Sequence, residues 1–253
     1  MLEIIDVLLM VFFLFLNFAI YYIKFNYAGF MPNLYVVATP IGNLGDITLR
    51  ALDVLKSVDW IVAEDTRVIS KLLAHFSISK SLLSLHQYSK DKSYDKVLDL
   101  LKEGKNVALV SDAGTPCISD PGSYLVELVR KNISEAKIIA IPGPSAVISA
   151  LSIAGVPADQ FTFLGFPPHQ KGRQKFFNIL KDVAIKPIVL YESTHRLQKT
   201  FKNLKIVLGG EAKTMVGKEL TKIYEELWQG TVDEAVKYFV GDKIKGEFVI
   251  IVP

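Results

Sequence analysis

Residues 111–122, SDAGTPCISDPG, place Asp112, Gly114, Pro116, Asp120, Pro121 and Gly122 in one run of twelve. A strand-to-helix turn needs roughly two to six residues. The glycines let backbone approach a ligand closely, the prolines stiffen the path, and the carboxylates can meet an amine or a hydroxyl. The alternative is a long structural crossover. Cys117 reads as a space-filler there, with no catalytic role.

Further segments share this character. TPIGNLGDIT, 39–48, is a second such loop, and its glycines do not form the G-x-G-x-x-G of a dinucleotide site. AEDTR, 63–67, ends an apolar run with two carboxylates and an arginine; alone, such a cluster is more often a helix cap with a salt bridge than a site. IPGPSAV, 141–147, is a rigid turn at a helix head, where Ser145 and its neighbours can aim N–H groups at a ligand. YESTHR, 191–196, groups Glu192, His195 and Arg196. GKELTKIYEE, 217–226, gathers Lys218, Glu219, Lys222, Glu225 and Glu226, and as a helix it would be a solvated i,i+4 charge face. IKGEFVI sets Lys245, Gly246 and Glu247 beside a strand. HQKGRQK, 169–175, suits phosphate contacts or a solvated loop.

The elements that position these loops emerge from hydrophobic period. LYVVAT, WIVAED, SLLSLH, NVALVS and KIIAI read as strands. Between them ITLRALDVLKSV, TRVISKLLAHF with Thr66 as N-cap, DKSYDKVLDLLKEG ended by Gly104, and GSYLVELVRKN read as helices. After the Pro-Gly-Pro turn, SAVISALSIAG is a further helix. Strands alternating with helices of this length predict an α/β domain with a largely parallel sheet, and ligands bind beyond the carboxyl ends of such strands. The second half reads as strands QFTFLGFPP, PIVLYES, KIVLGG and GEFVIIVP, with helices KFFNILKDV, HRLQKTFKNL and TVDEAVKYFV. The expected division is residues 1–30, 31–143 and 144–253.

The totals bound the rest. A chain of 253 residues, half hydrophobic and 22% charged, builds one large or two small domains; a net charge of +3 permits a polyanionic partner without requiring one. One cysteine excludes a disulfide framework, and four scattered histidines show no metal-ligand spacing. Residues 7–23 carry no charge and as a helix would reach about 25 Å, at the short end for a membrane span. Glu3 and Asp6 argue against a signal peptide. Residues 1–30 are either a membrane anchor, with Lys24 keeping the main domains on the cytoplasmic side, or an extension upstream of a true start at Met31. Both place the main domains in the cytoplasm.

Taken in order, TPIGNLGDITLRA, AEDTR, SDAGTPCISDPG, PGPSA, FLGFPP, ESTHR, KELTKIYEE and KGEFV resemble the ribosomal RNA small subunit methyltransferase I family, within the tetrapyrrole (corrin/porphyrin) methylase superfamily. The resemblance covers about residues 31–253. It implies two α/β domains with an S-adenosylmethionine cleft between them, a homodimer, and a fold distinct from the Rossmann methyltransferases. It implies methylation of the ribose 2′-oxygen of a cytidine in the decoding region of 16S ribosomal RNA, on the RNA or the assembled small subunit, with no metal. Loop 111–122 would wrap the cofactor, with Asp112, Gly114, Thr115, Pro116 and Ile118 nearest; Pro40, Gly42, Ser145 and Ala146 would line the same cleft. Glu64, Asp65, Arg67, Glu192, His195, Lys218 and Glu219 are the candidates for polar help to the attacking hydroxyl. The sequence departs from the family pattern at Thr194, where proline is common, and at Lys218, where arginine is common. The apolar run near the N-terminus is foreign to the family. Two rival activities stay open: methylation of a tetrapyrrole carbon, and RNA or nucleotide binding without turnover.

Overall fold

The computed structural model describes residues 31–86 and 91–253. The apolar run 7–23 lies outside them. Among the described residues no helix is long and apolar enough to cross a membrane.

The first sheet holds β1 (Asn33–Val37), β2 (Trp60–Ala63), β3 (Ser81–Ser84), β4 (Val107–Val110) and β5 (Lys137–Ile141), in the order β3-β2-β4-β1-β5. β2 pairs in parallel with both β3 and β4. All four residues of β4 are buried, as a strand covered on both faces requires. The accompanying helices are α1 (Leu49–Ser57), α2 (Thr66–His75), α3 (Asp91–Lys102) and α4 (Ser123–Asn132). α2 buries Ile69, Leu72 and Leu73, one stripe at helical spacing. Its N-cap is Asp65, not Thr66: the Asp65 carboxylate accepts from Arg67 N–H, and Thr66 is the first helical residue.

The second sheet orders β6 (Thr162–Phe163), β7 (Ile188–Ser193), β8 (Lys213–Lys218), β9 (Glu226–Thr231) and β10 (Glu247–Val252) as β6-β7-β10-β8-β9. β6 runs parallel to β7; the other pairs are antiparallel. With it go α5 (Ala146–Ala154), α6 (Arg173–Ile179), α7 (Leu197–Leu208) and α8 (Val232–Tyr238). Strand alternation divides the core in two. Ile188, Leu190, Phe248, Ile250 and Val252 face Phe177, Phe201, Leu204 and Phe239. Val189, Val249 and Ile251 face Val147, Ala150, Leu151 and Ala154 of α5.

Three expectations are corrected here. KIVLGG is no strand: α7 runs on to Leu208 because Leu197, Phe201, Leu204 and Val207 continue one buried helical stripe, and Gly209 stops it. α6 starts and ends earlier than KFFNILKDV suggested, at Arg173 and Ile179. KELTKIYEE is not a helical charge face but the turn joining β8 to β9, two strands that hydrophobic period does not reveal. Lys218 pairs with Glu226 across it, and Glu219 and Thr221 adopt left-handed φ of 49° and 66° that no helix accommodates.

The chain forms two compact units that interleave along the sequence. Among the described residues, one holds 31–36, Asp53–Val110 and Pro121–Ile141; the other holds Val37–Leu52, Ser111–Asp120 and Pro142–Pro253. The segments leaving β1 and β4 thus belong with the C-terminal residues, while the strands they leave belong to the first unit.

Candidate active site

The loops leaving β1, β4 and β5 form one hydrogen-bonded body in the second unit. Thr39, buried, exchanges both backbone hydrogen bonds with Gly114, at 2.9 and 3.0 Å. Its hydroxyl donates to Ser111 O at 3.0 Å, and the Ser111 hydroxyl donates to Gly114 O at 3.1 Å. Thr115 Oγ1 donates to Pro144 O at 3.2 Å. Gly114 has φ +82°, and a Cβ there would lie 3.4 Å from Ile41 Cγ2; a Cβ on Gly143 would lie 3.0 Å from that of Ala38. The glycines are therefore what allows the three loops to close on one another.

Beyond Thr115 the backbone is strained: Cys117 and Ser119 sit at φ 72° and 56°. Such non-glycine conformations cost about 1–3 kcal/mol each and cluster at ligand clamps. Burial, then the Asp120 charge, pushes the Cys117 thiol up, so it is a poor nucleophile, in keeping with a space-filling role. Pro116 is buried, Asp112 is exposed and Ile118 is 50% exposed. Ser145 occupies the N-cap of α5 without a side-chain hydrogen bond. In the first turn of this nine-residue helix the Val147 N–H donates to the Tyr191 phenol oxygen, and Ala146 beside it is partly exposed. Closely packed backbone and an exposed carboxylate suit a small polar ligand.

A second cluster adjoins the first through Gly42. A Cβ on Gly42 would stand 2.4 Å from Lys222 Cγ and 2.9 Å from Thr221 Oγ1; Pro40, two residues earlier, is buried. Lys222 Nζ reaches Glu219 Oε1 and Glu247 Oε2, each at 3.0 Å, and Glu247 N–H donates to Glu219 Oε1 at 2.9 Å. Burial raises the Glu219 carboxyl pKa, but the bonds from Lys222 and Glu247 outweigh it and hold it below its ordinary value. Burial works against the Lys222 charge too, and its two carboxylates outweigh that, leaving its pKa raised. Thr194, where the family favours proline, donates to Gly246 O and accepts from Gly246 N–H, both at 2.9 Å. The hydroxyl supplies a tie that proline has no donor to make. Lys218 is half-buried at the end of β8, and His195 is exposed.

Glu192 stands apart from the exposed candidates. Its side chain has no solvent exposure, and it is ion-paired with Arg196 at 2.8 Å and with Arg173 at 3.9 Å. Ser193 N–H and the Thr200 hydroxyl also donate to it. With both oxygens engaged inside the protein, Glu192 is a positioning residue, not a base reaching a substrate. Arg173 of the basic tract is buried with it, which leaves Lys171, Lys175 and His169 as that tract's exposed basic members.

Glu64, Asp65 and Arg67 belong to the other unit. Asp65 caps α2 and chelates the Arg67 guanidinium, the shortest contact being 2.6 Å. The Arg67 side-chain bonds, then its backbone N–H, hold the Asp65 pKa at about 2. Glu64 is half-buried, and its carbonyl accepts from the Ser84 hydroxyl. Among the described residues no group of three or more His, Cys, Asp or Glu is placed to hold a metal ion.

Sequence reasoning missed Tyr191, Phe166 and the inward turn of Arg173. Tyr191 alternates with buried Leu190 and Glu192 along β7, and that period of two was the available signal. Nothing local marks Arg173, because its partners lie up to 30 residues away in α7.

Residues 33–236 match the model of the tetrapyrrole (corrin/porphyrin) methylases. A ribosomal RNA small subunit methyltransferase I of Vibrio cholerae is 46% identical, the match covering 87% of this chain and 77% of that protein. One of Thermotoga maritima is 43% identical, over 87% of this chain and 98% of its own. Among solved structures, a cobalt precorrin-4 methyltransferase is similar in fold, with a TM-score of 0.67 at 19% identity, over 88% of this chain and 95% of that one. The ordered motifs, the converging loops and these likenesses agree: the chain belongs to the tetrapyrrole methylase family and, within it, to the ribosomal RNA small subunit methyltransferase I group.

Proposed function

We propose that this chain transfers a methyl group from S-adenosylmethionine to the ribose 2′-oxygen of a cytidine in the decoding region of 16S ribosomal RNA. The observation that carries this is the identity of 41–46% to curated relatives of that name over 87–90% of the chain. Pro40, Gly42, Asp112, Gly114, Thr115, Pro116, Ile118, Ser145 and Ala146 hold the cofactor: the Asp112 carboxylate meets its charged and hydroxyl groups, and the glycines let the loops that carry these residues pack closely against one another. When bound, the cofactor supplies an electrophilic methyl on a sulfonium.

The chain's own residues orient the acceptor ribose and stabilise its oxygen. Held in line with the methyl, a hydroxyl gains much of its reactivity from alignment. A strong base is a poor expectation here. Asp65 and Glu219 are held below their ordinary pKa values, and Glu192 is sealed inside. Lys218 and His195 are the polar groups of the second unit set to stabilise developing oxyanion charge. The acceptor is small-subunit ribosomal RNA, by itself or within the assembled subunit, the enzyme acts in the cytoplasm, and it works as a homodimer.

The test supplies the full chain with labelled S-adenosylmethionine and small subunits from a strain lacking the enzyme. The expected result is a single methyl on a cytidine 2′-oxygen, mapped by nuclease digestion and mass spectrometry. Tight cofactor binding with no label in RNA, and label entering a tetrapyrrole instead, overturns it. Light scattering checks the dimer.

A further inference from the structure

Phe166 lies just beyond β6 and is 49% exposed. A single exposed apolar ring needs no explanation. The surroundings of this one do. The carbonyl of Pro167 accepts from Arg196 Nη1 at 2.8 Å, and that of Pro168 accepts from Arg173 Nη1 at 2.9 Å. Both arginines converge on buried Glu192. A buried ion network of this kind adds little net stability over an apolar core. What it does add is a fixed path for residues 166–168.

The ring itself is held from two sides. Tyr191 lies 5.3 Å from it, centroid to centroid, and the Arg196 guanidinium sits 5.7 Å from its centroid. Tyr191 is in turn packed edge-on to Phe163 at 4.9 Å. The platform also abuts the strained loop of the candidate cofactor site. A Cβ on Gly165 would lie 2.8 Å from Ser119 Oγ, and Tyr191 N–H donates to Gly165 O at 2.9 Å. On its other side the chain continues into exposed His169 and Lys171. A rigid, half-exposed aromatic between a cofactor loop and surface cations is the arrangement that receives an unstacked base whose phosphates need neutralising.

We propose that Phe166 is the platform on which an unstacked base of the acceptor RNA strand lies while its ribose is methylated. Tyr191 and Arg196 fix the ring, and Glu192 fixes Arg196. The proposal rests on the reading of the chain as an RNA methyltransferase.

Two measurements on the full chain separate the proposal from that reading. In the first, methyl transfer from labelled S-adenosylmethionine to unmethylated small subunits is measured for wild type, Phe166→Ala, Phe166→Leu and Phe166→Trp. Phe166→Ala and Phe166→Leu are expected to raise KM for the subunits about tenfold, the order of one lost base stack. Cofactor affinity and melting temperature stay as in wild type, and Phe166→Trp stays near wild type. If Phe166→Leu matches wild type, the ring acts by packing alone and the proposal fails. In the second, a decoding-region RNA carrying 5-iodocytidine at or beside the target is irradiated on the wild-type enzyme, and the crosslinked peptide is identified. A crosslink at Phe166 supports the platform even if no methyl is transferred, in which case the methyltransferase reading alone falls. A crosslink confined to other residues overturns the platform.

Discussion

Glu192 and Glu219 are two carboxylates of the same unit, each holding basic partners, in opposite surroundings. Glu192 has no exposed side-chain surface and binds two arginines from different elements. Glu219 keeps 18% of its side chain exposed and binds Lys222, three residues on, and the backbone of Glu247. Arginine's planar fork suits the dry site, where several donors must converge in fixed directions; lysine suits the rim, where a compact charge stays partly hydrated. The buried cluster orders loop 166–168 from within. The rim cluster ties the β8–β9 turn to Gly42 and to β10. One fixes shape at a high penalty for any missing partner, and the other adjusts.

The largest effect that tests this contrast is Glu192→Ala. It strands Arg173 and Arg196 without their carboxylate, and a loss of about 3–5 kcal/mol in urea unfolding is expected. A loss below that of Glu219→Ala would sink the comparison. Next is Thr200→Val, which removes the hydroxyl that donates to Glu192 and accepts from Arg173. Leaving those buried groups short of a partner costs about 1–3 kcal/mol by the same measurement. Glu219→Gln is expected to lose less than about 1 kcal/mol, since solvent screens the pair, and the loss shrinks further at high salt. The same screening has no purchase on Glu192→Ala, so salt separates the two clusters.

The smallest effects are in pH. The Glu219 carboxyl is depressed from 4.5, so its contribution is present above that value and is lost as pH falls through its lower folded pKa. Asp65 behaves alike between 3.8 and about 2. Lys222 is raised from 10.5, so its contribution is present below that value and is lost as pH rises through its higher folded pKa. Melting temperatures of wild type and Glu219→Gln should therefore converge in acid and differ most near neutrality. Curves that stay parallel down to the acid limit would remove the rim pair from the account.

Much of the first half was readable because its signals are local. β4 is a four-residue apolar run, Gly104 ends α3 at φ +81°, and α4 begins past the Pro121-Gly122 pair. The second half was harder for the same physical reason in reverse. β8 and β9 carry lysine, glutamate and glutamine, and their pairing joins residues up to 18 positions apart, Lys213 with Thr231. KIVLGG looked like a strand because Ile206 and Val207 are β-branched, yet tertiary packing on α8 and β7 kept that stretch helical. Propensity is a weak prior where a buried stripe runs through.

For the site, the residue types alone determined that loops rich in glycine, proline and aspartate come after apolar strands, and their order identified the family. Which of those residues meet was decided in three dimensions. Thr39 with Gly114, Thr115 with Pro144 and Thr194 with Gly246 are separated by 75, 29 and 52 positions. The fate of the charged residues was also a tertiary matter. Glu192 and Arg173 read as surface chemistry in the sequence and are sealed in the interior, while Lys218 and His195 keep access to solvent. A sequence specifies which groups a chain carries and their local period; burial and long-range partners decide which of them reach a substrate, because both are properties of neighbours that the linear order does not name.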